Sequence, residues 1–162
     1  MDQQQWFLKA FHELKPIELY NILRLRSAIF VVEQQCIFED IDGKDIERCY
    51  HLFLWEEDRI AAYARIFPPR VVYEESSIGR VCTNLHHRGK GLGRRLMAEA
   101  LHQSEILFPG APIKIAAQYY LRKFYEDFGF EMVGECFLED NIEHVYMVRK
   151  ISAVSIQRTA SL

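Results

Sequence analysis

The chain has 162 residues, of which 49% are hydrophobic and 27% charged, and its net charge is -3. That length and balance suit one soluble globular domain with a proper core. The mild negative charge gives no general attraction to nucleic acid or to an anionic membrane, and no apolar run approaches membrane-spanning length.

The first residues, Met1 to Gln5, lack the basic and long apolar regions of a signal peptide. Trp6 to His12 reads as a first strand. Pro16 suits the first turn of a helix, where its missing N–H costs nothing. Leu19, Ile22, Leu23, Arg26 and Ile29 then form a helical stripe. Phe30 to Phe38 is ambiguous, since Phe30-Val31-Val32 either continues that helix or leaves it. Glu39 to Arg48 is acidic and contains Asp42-Gly43, a turn signal. Tyr50 to Trp55 and Ile60 to Phe67 read as two strands joined by a short polar hairpin. A further strand spans Ser77 to Thr83, and a long helix runs from about Gly91 to Leu107. Ile113 to Ala117 is a short apolar strand. Tyr120 to Phe128 reads as a helix with Gly129 at its C′ position. Glu131 to Phe137 and His144 to Val148 are the last strands, around an acidic turn. Residues 1–150 form a single expected domain, and 151–162 a tail that is a candidate dimer contact. The four cysteines, Cys36, Cys49, Cys82 and Cys136, form no C-x-x-C pair. Reduced thiols in a cytoplasmic protein are expected. The histidines and cysteines lack the paired spacing of a zinc site, so no metal is expected.

Residues 88–93, Arg-Gly-Lys-Gly-Leu-Gly, join the Ser77–Thr83 strand to the N-terminus of the long helix. The first N–H groups of a helix have no intrahelical partner, and the dipole favours an anion there. Glycines admit a phosphate closely, and Arg88, Lys90, Arg94 and Arg95 add positive charge. A phosphorylated ligand is the expectation. A P-loop fails, because Gly93 is followed by Arg94 and Arg95 instead of Lys and a hydroxyl. A dinucleotide fingerprint fails as well, because its third glycine falls on Leu96. The pattern that fits is R-x-x-G-x-G over Arg88, Gly91 and Gly93, which resembles the coenzyme A loop of the GNAT superfamily of N-acetyltransferases.

A second stretch, Leu121 to Phe130, carries Leu121, Phe124, Tyr125 and Phe128 at helical spacing, a pattern that suits a buried stripe. It also resembles the F-Y-x-x-x-G-F signature of GNAT enzymes, matched by Phe124, Tyr125, Gly129 and Phe130. Further segments resemble the ElaA-like family within that superfamily. They are Leu25 to Gln35, Asp40 to Asp45, Ala62 to Arg65, Ile78 to Val81, Ala116 to Gln118, Gly134-Glu135, and Leu138 to Asp140 followed by His144. The resemblance covers about residues 6 to 149. It departs from the family at Asn141-Ile142-Glu143, where a glycine and a proline are usual.

The resemblance implies an α/β (α+β) acyltransferase fold, with a mixed central sheet of about six to seven strands flanked by helices. It implies an acetyl-CoA-dependent N-acetyltransferase acting on a primary amine, without an acyl-enzyme. Tyr125 would be the general acid. An N–H of Val81, Cys82 or Thr83 would polarise the thioester carbonyl, a contribution of about 3 kcal/mol. The backbone of Arg88, Gly89, Lys90, Gly91, Leu92, Gly93 and Arg94 would hold the pyrophosphate, and Gln118 the pantetheine amides. Glu33 is the leading general base, with Asp140 and His144 behind it. Glu33, Asp40, Asp42, Asp45, Glu139 and Asp140 together suggest an acidic pocket for a cationic amine, or a solvated acidic surface. The alternatives are a non-catalytic acyl-CoA-binding module and, against the net charge, a nucleic-acid binder.

Overall fold

The computed structural model describes residues 4–150. Seven strands form one sheet: β1 (Gln5–Ala10), β2 (Tyr50–Glu56), β3 (Arg59–Phe67), β4 (Ser76–Thr83), β5 (Ile113–Gln118), β6 (Glu131–Glu139) and β7 (Ile142–Arg149). Their order is β1-β2-β3-β4-β5-β7-β6, with every neighbouring pair antiparallel except β4–β5. Among the described residues three α-helices accompany it: α1 (Pro16–Arg26), α2 (Leu92–Leu107) and α3 (Arg122–Glu126). This is the mixed, helix-flanked sheet that the sequence implied, with seven strands. The expected tail, residues 151–162, lies outside the described residues.

Both faces of the central strands are covered, so β3 is buried from Ile60 to Phe67 and does not alternate. Strand β2 divides its side chains by period two. Leu52 and Leu54 join Leu96, Met97 and Ala100 of α2 in one core, while Phe53 joins Ile22, Leu25 and Ile29 in the other. Helix α1 begins at Pro16, and Glu18 reaches back to accept from the Lys15 N–H at 2.8 Å.

The ambiguous Phe30 segment continues the helix, but with a wider turn. Ser27–Glu33 is a π-helix, and Gln34 and Cys36 donate to the carbonyls of Ile29 and Val31, five residues back. The expected helix at Tyr120 begins instead as a 3₁₀ turn over Tyr119–Leu121, and α3 follows directly. Asp140 and Asn141 both take positive φ, 49° and 62°, so the β6–β7 turn closes without glycine or proline.

Candidate active site

Strands β4 and β5 pair only at Ser76–Ile113 and Ser77–Lys114. Beyond Ser77 they part, while β5 keeps its ladder with β7 as far as Gln118–His144. The β5-facing backbone groups of β4 therefore have no strand partner from Ile78 onward. A cavity of about 610 Å³ fills the gap. Its walls are β4 from Ser77 to Thr83, the π-helical turn, the end of β5, α3 and the β6–β7 turn. Val81, Cys82, Thr83, Glu33, Gln118, Tyr125 and His144 all line it.

The loop entering α2 lies at one end. Gly89 and Gly91 have φ of 78° and 70°, and Gly91 is the N-cap of α2. A β-carbon at either would touch nothing nearby, so the left-handed backbone, not crowding, calls for glycine. Glycine has no side chain to cap the helix, and the first N–H groups of α2 stay available. Of the loop residues, Arg88 and Gly93 reach the cavity wall. Lys90 is exposed, Leu92 packs into the core, and Arg94 turns to Asp127 at 3.0 Å, over the Phe124 ring.

Tyr125 is fixed by the way its helix ends. Gly129, at φ 87°, donates to the Glu126 carbonyl, and the Phe130 N–H donates to the Tyr125 carbonyl. These two bonds are a Schellman stop, which brings the residue after the glycine against the residue that accepts the longer bond. Here that pair is Phe130 and Tyr125, whose rings meet edge-on at 6.0 Å; Phe124 packs against Tyr125 at 5.1 Å. The spacing of the aromatic-glycine signature is thus a device for holding one phenol. Burial pushes the Tyr125 hydroxyl up to about 12, so it reaches the cavity protonated.

The base candidates differ in their engagements. Glu33, at the end of the π-helix, pairs with Arg88 at 2.8 Å, with both side chains partly exposed. His144 is buried, stacks on Phe137, and donates from Nδ1 to the Ile142 carbonyl at 2.8 Å. That bond leaves Nε2 as the basic nitrogen of the neutral ring, 3.7 Å from Glu139. The Asp140 carbonyl accepts from the Cys36 thiol at 3.5 Å. Burial raises the Cys82 thiol well above its ordinary value, which suits packing and not attack. Gln118 donates to Gln34 Oε1 at 3.2 Å across the groove, a partner that the sequence did not signal.

Three carboxylates of the expected acidic pocket are not free. Arg26, fully buried, donates to Asp40 Oδ2, the Asp40 carbonyl and Asp45 Oδ1. Arg65 donates to Asp42 at 2.8 and 2.9 Å and to Asp45 at 2.9 Å. Arg80 Nε lies 2.8 Å from Asp40 Oδ1. Burial opposes ionisation of Asp42, but the bonds from Arg65 outweigh it and hold the carboxyl well below the usual range. Of the expected acidic pocket, Glu33, Glu139 and Asp140 stand outside this network, and Glu33 is paired with Arg88. Among the described residues no cluster of three or more His, Cys, Asp or Glu could hold a metal ion. No helix there is long and apolar enough to cross a membrane.

The family model for the acetyltransferase (GNAT) domain matches residues 28–151. The protein ElaA of Escherichia coli K12 is 40% identical over 148 residues, covering 91% of this chain and 97% of its own. Among solved structures, an acyl-CoA N-acyltransferase from Pseudomonas aeruginosa superposes with a TM-score of 0.88 at 38% identity, covering 91% of this chain and 99% of that one. Escherichia coli ElaA superposes at 0.85, also 38% identical, over 91% of this chain and 100% of that one. With identity of this size over nearly the whole of both chains, and a family match that spans the groove and both motifs, this chain belongs to the GNAT acetyltransferase family, on its ElaA-like branch.

Proposed function

We propose that this chain is an N-acetyltransferase that moves an acetyl group from acetyl-CoA to a primary amine by direct attack within a ternary complex. The observation that carries this reading is the parting of β4 from β5, which opens a groove walled by unpaired backbone groups on one side and the Tyr125 phenol on the other. The residues fit a coenzyme A group. The uncapped N-terminus of α2, its two left-handed glycines and Arg88 suit a diphosphate. The open edge of β4 suits an extended arm that carries amides.

Acetyl-CoA supplies an activated acyl carbon and a thiolate leaving group. A backbone N–H of Val81, Cys82 or Thr83 hydrogen-bonds the acyl oxygen as charge develops there. The acceptor nitrogen forms the new C–N bond as the C–S bond breaks. Tyr125 gives its hydrogen to the departing sulfur, a task for which general acids contribute about 10²–10⁴-fold. Glu33 takes the proton from the nitrogen, and His144 is the second candidate for that role. Gln118 orients the arm through its amide, and Cys82 serves packing. The protein functions inside the cell as a single catalytic domain over residues 1–150.

A thiol-release screen with acetyl-CoA against a panel of primary amines tests the reading. Release that depends on one amine, with a matching mass gain on that amine, supports it. Tight coenzyme A binding with no release for any amine makes the chain a binding module instead.

A further inference from the structure

Strand β4 contains a bulge. Across the β3–β4 ladder Arg65 faces Gly79 and Tyr63 faces Cys82, so Arg80 and Val81 together stand against Ala64. Arg80 has φ 50°, in the left-handed region that side chains disfavour and glycine enters freely. Gly79, one residue earlier, does not occupy that region. The strand thus places its left-handed backbone on an arginine and leaves the adjacent glycine in an ordinary conformation. A non-glycine residue stays there only when its surroundings over-determine it.

The surroundings are specific. Arg80 Nε lies 2.8 Å from Asp40 Oδ1, and Nη2 donates to the Asp40 carbonyl at 3.2 Å and to Asp42 Oδ2 at 3.4 Å. The rings of Phe30 and Phe38 lie 6.0 and 5.4 Å from the guanidinium. Asp40 is itself gripped on its other oxygen by Arg26, which is fully buried in α1. A chain of charges therefore runs from α1 through the 36–46 loop to the bulge. β4 has already parted from β5 after Ser77, so the bulge lies on its open edge, and Val81 to Thr83 line the groove.

We propose that Arg80 is a positioning residue for acyl transfer. Its side chain, clamped to Asp40 and Asp42, holds the left-handed bulge that turns a groove-facing N–H among Val81 to Thr83 toward the acyl carbonyl. The inference rests on the acyl-CoA reading of the groove. A purely structural arginine would tie the 36–46 loop to the sheet, and its loss would be felt equally whichever small residue replaced it. A clamp on backbone conformation behaves differently. Arg80→Ala removes the grip and leaves a residue that disfavours positive φ. Arg80→Gly removes the same grip but tolerates positive φ without steric cost.

The test needs no acceptor. Acetyl-CoA labelled with ¹³C at the thioester carbonyl is bound to wild type, Arg80→Ala, Arg80→Gly and Asp42→Asn, and the carbonyl stretch is read by infrared difference spectroscopy. In wild type the stretch falls below its value in water. In Arg80→Ala most of that lowering disappears, and in Arg80→Gly most of it returns. Asp42→Asn loosens the clamp without touching β4 and shows a smaller loss. Turnover with the best amine follows the same order. Arg80→Ala falls about tenfold or more in kcat, the scale of a weakened oxyanion donor, with donor KM changed less than about twofold. A stretch unchanged in Arg80→Ala or in Asp42→Asn, or a glycine variant no better than alanine, overturns the clamp and leaves the acyl-CoA reading standing. Wild-type protein that fails to bind acetyl-CoA overturns both.

Discussion

Tyr125 owes its place to the residues that end its helix. Gly129 supplies the left-handed backbone, and Phe130 closes on the Tyr125 ring. Because the phenol is held by packing, its removal tests chemistry with little structural penalty. Tyr125→Phe lowers turnover tenfold or more, roughly, while coenzyme A affinity stays similar. Single-turnover rates beside calorimetry check this, and unchanged turnover removes the acid role. Gly91 is the complementary case. Gly91→Glu puts a β-carbon on a left-handed residue and a negative charge at the N-terminus of α2, so coenzyme A binding is abolished. Retained affinity in calorimetry refutes the loop assignment. The placing of both residues was legible in the sequence because it is local: a glycine at a helix end, and a ring beside Phe124 and five residues before Phe130. Arg80 was not legible. Glycine is the residue type that enters the left-handed region freely, yet Arg80 and not its neighbour Gly79 is there, and the clamp comes from Asp40 and Asp42, 40 and 38 residues away.

Among the elements, the loop between the π-helix and β2 carries Asp40, Asp42 and Asp45. Its aspartates read in sequence as an acidic surface or pocket, because their partners Arg26, Arg65 and Arg80 come from three different elements. Long-range pairing of this kind has no periodicity to detect. It also sets the sensitivity of the loop. Arg26→Met keeps bulk but leaves Asp40 and Asp45 buried with less compensation, and destabilises the chain by about 3–5 kcal/mol. Urea unfolding measures this, and a change below about 1 kcal/mol means that the network is not cooperative. The strands fared better in sequence, since β2, β3, β4 and β7 show either alternation or a short apolar run. The π-helix was the ambiguous element. Its residues are ordinary helix or strand formers, and one widened turn leaves too small a change in period to read.

Across the whole molecule, burial ties stability to acidity. His51 is enclosed between the Tyr63 hydroxyl at 2.7 Å and the Asp45 carbonyl at 3.0 Å, and burial holds its imidazole below the ordinary value. The unfolded chain takes up a proton below about pH 6.5, whereas the native chain resists it, so this stability is complete above that pH and drains as pH falls. Burial opposes ionisation of Asp42 and Asp45, but their arginine partners hold both carboxyls low. The unfolded chain protonates these groups below about pH 4, and a second loss begins there. The urea midpoint therefore declines in two stages between pH 8 and pH 3. A flat midpoint from pH 7 to pH 5 contradicts the role given to His51.

The two ladder pairs between β4 and β5 make the sheet a wedge, with β1 to β4 on one side and β5 to β7 on the other. A ligand lying in the mouth of that wedge takes the place of a missing strand, and only the folded chain offers it. Occupancy and folding are then linked by mass action. Each tenfold rise in free ligand above its Kd adds about 1.4 kcal/mol to stability. On the proposed acyl-CoA reading, the donor that feeds the reaction also holds the two halves of the sheet together.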